Sequence, residues 1–171
     1  MKFSDLVAKR IKEETKIIFG ITGGAIVNLF DSLHKEKIKI QTMHHEQACA
    51  MAADAYARLT GKLGVVIVTS GPGGTNALTG VCCSWFDSIP VLIIAGQVPT
   101  NQLKGASGKR QVGFQETDNL KIFKNVCKDS FYLNTMEDLE RAIKLAKTPR
   151  KGPVFLEFCD DIQRNENNEN M

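Results

Sequence analysis

Apolar residues recur along this chain with two periods, and the switching between them lays out a domain. Short, almost unbroken apolar runs at 16–19 (KIIF), 63–69 (LGVVIVT), 90–95 (PVLIIA) and 154–158 (VFLEF) are rich in branched side chains. They read as strands buried on both faces. Segment 37–42 (KIKIQT) alternates instead, and its lysines, which need water, put it towards a sheet edge. A further strand is expected at 130–133.

Helical spacing fills the intervals. Leu6, Val7 and Ile11 share one side behind a candidate cap at Ser4, and Ile26, Leu29, Phe30 and Leu33 share a face over 25–33. An Ala-rich helix is expected over 46–59, stopped by Thr60-Gly61, and another over 75–86. A regular pattern resumes at 120–123, and Thr135-Met136-Glu137-Asp138 resembles a capped start for a helix carried to Lys147 by Leu139, Ile143 and Ala146. Strands alternating with helices predict an α/β fold, a three-layer αβα sandwich around a mostly parallel sheet of about six strands. Residues 1–162 make one domain, and the polar stretch 163–171 is expected to be a disordered tail or the start of a linker. Residues 98–117 show no sustained period, and a loop of that length in a compact domain is usually functional or mobile.

Charge and cysteine narrow the function. Among 171 residues, 22 Lys and Arg stand against 19 Asp and Glu, a net charge of +3. That small excess, without a basic stripe, argues against a nucleic-acid partner. No apolar run reaches the roughly 18 residues of a membrane span, and MKFSDLVAKRIKEETK lacks a signal core, so a cytoplasmic protein is expected. Cys49, Cys82, Cys83, Cys127 and Cys159 form neither a C-x-x-C pair nor a metal spacing with His, and read as reduced thiols. The adjacent His44 and His45 lack the i, i+4 spacing that puts two ligands on one helix face, so no metal site is expected in the chain.

The candidate chemistry is concentrated in residues 41–80. Ser70-Gly71-Pro72-Gly73-Gly74-Thr75-Asn76 follows a strand and opens a helix, the setting of a phosphate cradle. The dinucleotide fingerprint fails, however, because Asn76 stands where its last glycine belongs, and Gly108-Lys109-Arg110 fails as a P-loop. Spacing therefore favours a close strand–helix turn with another role. Glu46 opens the Ala-rich helix. A carboxylate there is commonly only a partner of the helix dipole. Buried among small side chains, it would instead have a raised pKa and share a proton with a ligand nitrogen. Phe114-Gln115-Glu116-Thr117-Asp118 reads by itself as a helix-entry segment.

Taken in order and spacing, ITGGAI, HHEQACAMAADAYARLTGK, VIVTSGPGGTNALTG, DSIPVLIIAGQVP, GFQETD and GPVFLEF resemble the pyrimidine-binding domain of thiamine-diphosphate enzymes, in the acetolactate synthase and pyruvate oxidase group. The resemblance covers residues 2–163. It implies that Glu46 hydrogen-bonds the pyrimidine ring nitrogen of thiamine diphosphate, favouring the imino tautomer that takes the C2 proton and yields the ylid that attacks a 2-keto acid. It also implies that Thr22, Gly23, Pro72, Asn76 and Gln115 line the cofactor pocket, with Gln115 facing the reacting carbon and Phe114 the substrate entrance. The first turn departs from the branch's usual Gly-Tyr-Pro-Gly-Gly, reading Gly20-Ile21-Thr22-Gly23-Gly24, and the loop carries a basic GKRQ segment. Related enzymes of sugar biosynthesis therefore stay open beside the acetolactate synthases.

By the same resemblance, the diphosphate is held through Mg²⁺ by a further domain with a Gly-Asp-Gly motif and a downstream Asn, which nothing in this sequence matches. That domain would lie on the same full-length chain or on a separate subunit. FAD in a middle domain of the complete enzyme is left open. The expected assembly is a homodimer or tetramer, and the expected activity is lyase or transferase chemistry on 2-keto acids, with this chain alone inactive. The alternative is a non-catalytic binding or assembly domain derived from the same family.

Overall fold

A computed structural model describes residues 1–166. Six strands form one sheet in the order β2-β1-β3-β4-β6-β5, every neighbouring pair parallel. They are β1 (Ile17–Gly20), β2 (Lys39–Gln41), β3 (Gly64–Val68), β4 (Val91–Gln97), β5 (Ser130–Tyr132) and β6 (Val154–Cys159). β3, β4 and β6 are buried residue by residue, as their unbroken apolar runs require, and β2 takes the edge its lysines predicted.

Alternation of side chains divides the core into two layers. Ile18, Val65, Ile67, Leu92, Leu156 and Phe158 face α1 (Phe3–Glu14), α2 (Val27–Lys35) and α6 (Met136–Lys147). Val66, Val68, Ile93, Ala95 and Phe155 face α3 (Glu46–Thr60), α4 (Pro72–Phe86) and α5 (Asn119–Phe123), where Phe123 stacks on Phe155 at 4.0 Å between centroids. The three-layer sandwich is as expected.

Several boundaries move for identifiable reasons. Ser4 does not cap α1: the helix begins at Phe3, Asp5 accepts the Lys2 N–H, and the Ser4 hydroxyl is buried, accepting from Ser32 at 2.9 Å. Thr135 does cap α6, accepting from the Asp138 N–H. α4 begins three residues before the expected position, because Pro72 is preset for the first helical turn. The 98–117 loop is not structureless. It contains a 3₁₀ turn at Thr100–Gln102, and the buried Glu116 carboxylate accepts the N–H of Lys104 (2.6 Å) and of Val112 (2.8 Å). A short helix α7 (Asp160–Arg164) runs across residue 162 and includes Gln163, whose buried amide donates to the carbonyls of Ala25 and Phe158 at 2.8 Å. Residues 167–171 of the expected tail lie outside the described residues.

Candidate functional site

The chain from β1 crosses to β2 on one side, whereas the chain from β3 crosses to β4 on the other, so the carboxyl ends of β1 and β3 flank the point where strand order reverses. Crevices at such points receive ligands in open parallel sheets. The two strand ends are tightly joined: a β-carbon on Gly20 would lie 2.1 Å from the Ile67 carbonyl oxygen. Beyond them, Thr69 is wedged between two glycine turns. β-Carbons added at Gly23 and Gly73 would stand 2.5 Å and 2.9 Å from its side chain.

Gly71 turns the chain from β3 into α4 with φ +57°, a conformation that favours glycine, and a β-carbon there would meet the Gln115 carbonyl oxygen at 2.2 Å. The glycine turn and the distant Gln115 therefore pack backbone to backbone. Gln115 itself has φ +59°.

Glu46 opens α3, capped by His45, whose ring Nδ1 accepts the Gln47 N–H at 3.2 Å. From α4, Asn76 Nδ2 donates to Glu46 Oε2 at 3.0 Å. Two small residues, Ala50 and Gly80, one turn further along each helix, let the helices approach: a β-carbon on Gly80 would lie 2.5 Å from the Ala50 Cβ. Glu46 is half-buried in this chain, more open than a carboxylate enclosed by alanines would be. One turn on, the Cys49 thiol is pushed up to about 11 by burial, with the nearby Glu46 charge adding to the rise, so it stays protonated at neutral pH.

A second feature lies at the carboxyl end of the sheet. Gly24, Thr69, Ser70, Val98, Phe114 and Gln115 help to line a cavity of about 280 Å³, with Phe114 80% exposed at its rim. Glu46, Asn76, Thr22, Gly23 and Pro72 do not line that cavity, although Gly23 touches its Thr69 wall and Pro72 follows Gly71 against Gln115. Thr22 and Pro72 are exposed. The expected residues thus gather at one rim in two groups, the Glu46–Asn76 pair on the α3–α4 side and Phe114 with Gln115 in the cavity.

Sequence reasoning missed the His45 cap and the buried polar residues beneath the rim, above all Gln97 and Glu157. Glu157 had a legible signal: it is a carboxylate in the middle of a strand otherwise apolar throughout. Burial, first, pushes its carboxyl up to about 7, against the lowering by the Gln97 hydrogen bond and by the neighbouring Asn119 amide.

Comparison with known proteins matches residues 1–122 to the family described as thiamine pyrophosphate enzyme, N-terminal TPP binding domain. The acetolactate synthase large subunit of Haemophilus influenzae is 41% identical over 164 residues, covering 92% of this chain and 28% of that protein. The isozyme 3 large subunit of Escherichia coli is 41% identical over 162 residues, covering 92% of this chain and 27% of its own length. A probable large subunit from Methanocaldococcus jannaschii is 37% identical over 171 residues, with 97% and 28% covered. The chain spans little more than a quarter of the length of these curated relatives.

Proposed function

This chain belongs to the thiamine pyrophosphate enzymes, as their N-terminal TPP binding domain, and from that premise we propose that it supplies the pyrimidine side of an acetolactate synthase-like site acting on 2-keto acids. The observation that carries the proposal is the Glu46–Asn76 pair: Asn76 holds Oε2, and among the described residues Oε1 accepts no hydrogen bond. A half-open carboxylate with one oxygen anchored and one free fits a ring N–H of the pyrimidine.

Bound thiamine diphosphate supplies the carbanion chemistry. Glu46 accepts and returns a proton at the ring nitrogen. Asn76 fixes the carboxylate's rotation, and Thr22, Gly23 and Pro72 form the turns that flank the ring. Gln115 faces the reacting carbon and Phe114 the substrate entrance, consistent with their shared cavity at the same rim.

Mg²⁺ and the diphosphate belong, in this reading, to a domain elsewhere on a longer chain or on a separate subunit, and FAD to the complete enzyme if it is used. The exposed apolar side chains Met51 and Leu59 of α3 and Phe86 of α4 support a homodimer or tetramer built on these helices. No helix among the described residues is long and apolar enough to cross a membrane, and we place the enzyme in the cytoplasm, as a transferase or lyase. Replacing Glu46 by Gln in the complete enzyme tests the reading: turnover of a 2-keto acid should disappear while cofactor binding stays within about tenfold of wild type. Undiminished turnover would refute it.

A further inference from the structure

Gln97, the last residue of β4, is 1% exposed, and its amide bridges the two ends of the 98–117 loop. Its Oε1 accepts the Val98 N–H at 2.9 Å, where the loop leaves the sheet. Its Nε2 donates to the Thr117 carbonyl at 3.2 Å, where the loop returns. The second Nε2 hydrogen goes to Glu157 Oε1 at 2.9 Å. With no water available to a side chain so buried, each of these groups needs its partner.

Glu157 occupies a costly place. It is 1% exposed on β6, opposite Ala95 of β4 and Tyr132 of β5, on the sheet face where Phe155 packs under α5. A valine there would pack without any desolvation penalty. The titratable groups around it are acidic or neutral: Tyr132 from β5, Glu116 and Asp118 from the loop's end, and Cys159 from its own strand. Asp118 is paired with Lys121 at 2.7 Å, and the Glu116 carboxylate is taken by loop N–H groups. No cation in these contacts offsets the burial of Glu157.

Asn119, fully buried, completes the seat. It lies beside the Glu157 carboxyl, yet among the described residues neither its Nδ2 nor its Oδ1 has a well-formed hydrogen bond. It also abuts the first turn of α4, since a β-carbon on Gly74 would lie 2.6 Å from its Nδ2. An amide so placed can turn Nδ2 towards a carboxylate or Oδ1 towards a protonated acid, so the seat accepts either form.

We propose that Glu157 is the positioning residue of the 98–117 loop: by holding the Gln97 amide in the orientation that clamps both loop ends, it fixes Phe114 and Gln115 at the rim. The Gln97 contacts by themselves hold the two loop ends together. The consequence for turnover rests on the reading of Phe114 and Gln115 given above.

The test is made on the complete enzyme carrying this domain, by hydrogen exchange of the 98–117 segment and by tryptic cleavage at Lys109 and Arg110, which are exposed in the loop. Glu157→Leu should raise exchange across 98–117 by about tenfold or more, with the β3 segment unchanged, and should speed loop cleavage. Glu157→Gln, whose amide oxygen still accepts from Gln97, should stay within about twofold of wild type. Gln97→Leu should reproduce Glu157→Leu, the double variant should be no worse, and Gln97→Leu carries the test alone if Glu157→Leu does not fold. In the variants with a loosened loop, KM for the 2-keto acid should rise more than kcat falls. Unchanged loop exchange in Glu157→Leu or in Gln97→Leu, or equal loosening in Glu157→Gln and Glu157→Leu, overturns the clamp. Loosened exchange with unaltered kinetics upholds the clamp and overturns only the substrate-side reading of Phe114 and Gln115.

Discussion

Ser84 of α4 donates a hydrogen bond of 2.7 Å to Asp54 of α3, and both side chains are buried. The two residues are thirty positions apart, the same offset that separates Ala50 from Gly80 and Glu46 from Asn76. Contacts repeating every four residues on both helices, at a constant offset, mean that α3 and α4 run side by side in the same direction, as two crossovers of a parallel sheet would. The Glu46–Asn76 pair is the first contact of this seam.

Ser84→Ala should therefore destabilise the domain by about 1.5–3 kcal/mol, because the buried Asp54 carboxylate loses a donor and no water replaces it. Urea denaturation at neutral pH measures the loss. A cost below about 0.5 kcal/mol would mean that Arg58, which also pairs with Asp54, satisfies the carboxylate by itself.

Gly80→Ala should also destabilise, despite the helix propensity it gains. The new methyl would meet the Ala50 Cβ at 2.5 Å and the Met51 backbone nitrogen at 2.9 Å, so backbone has to move. Overpacking costs about 1–3 kcal/mol against about 1 kcal/mol gained from propensity. The net loss, read from the same denaturation curves, should exceed that of an exposed control such as Thr79→Ala. Net stabilisation would show that the helices part freely.

Much of this was legible in the sequence. Unbroken apolar runs mark the central strands because burial on both faces leaves no polar position, and KIKIQT marks the edge for the opposite reason. Glu46 and Asn76 were legible as residues. Their bond was not, since it depends on how far Ala50 and Gly80 let two helices approach. The Glu46 carboxylate is also more open than its alanine-rich sequence led one to expect: it is half-buried at the start of α3, held by Asn76 of α4. The Gln97 clamp was invisible for another reason: its partners Thr117 and Glu157 are 20 and 60 positions away, joined only by strand order. Gln163 and Arg164 read as tail from their polarity, but Gln163 satisfies two carbonyls at the base of α2 and the end of β6.

The pH dependence of stability should carry the mark of Glu157. Its folded carboxyl titrates at about 7, against an ordinary value of 4.5. Between those values the folded state holds a proton that the unfolded state has released, so stability falls as pH rises through this window and levels off above it. The difference is about 3 kcal/mol. Glu157→Gln lacks this titration, so its stability relative to wild type should improve by about 2–3 kcal/mol from pH 5 to pH 8. A pH-independent difference in paired denaturation experiments would refute it.

The 171-residue chain alone should bind thiamine diphosphate weakly, with Kd at or above roughly 1 mM even with Mg²⁺ present, and should not turn over pyruvate. The residues proposed to meet the pyrimidine leave the diphosphate in water, and each tenfold of affinity lost there is about 1.4 kcal/mol. Calorimetric titration of the purified chain decides this. Micromolar binding would place a diphosphate site within these residues.

The most direct test of Glu46 as the proton carrier is the exchange of the C2 proton of bound thiamine diphosphate for deuterium in the complete enzyme, compared between wild type and the Glu46→Gln variant. Glutamine keeps the shape and the contact with Asn76 but cannot accept and return a proton at the ring nitrogen. Exchange should slow by at least about 100-fold in Glu46→Gln, the lower range for a positioned general acid–base, with the fold unchanged. Exchange at the wild-type rate, with the cofactor demonstrably bound, would contradict it.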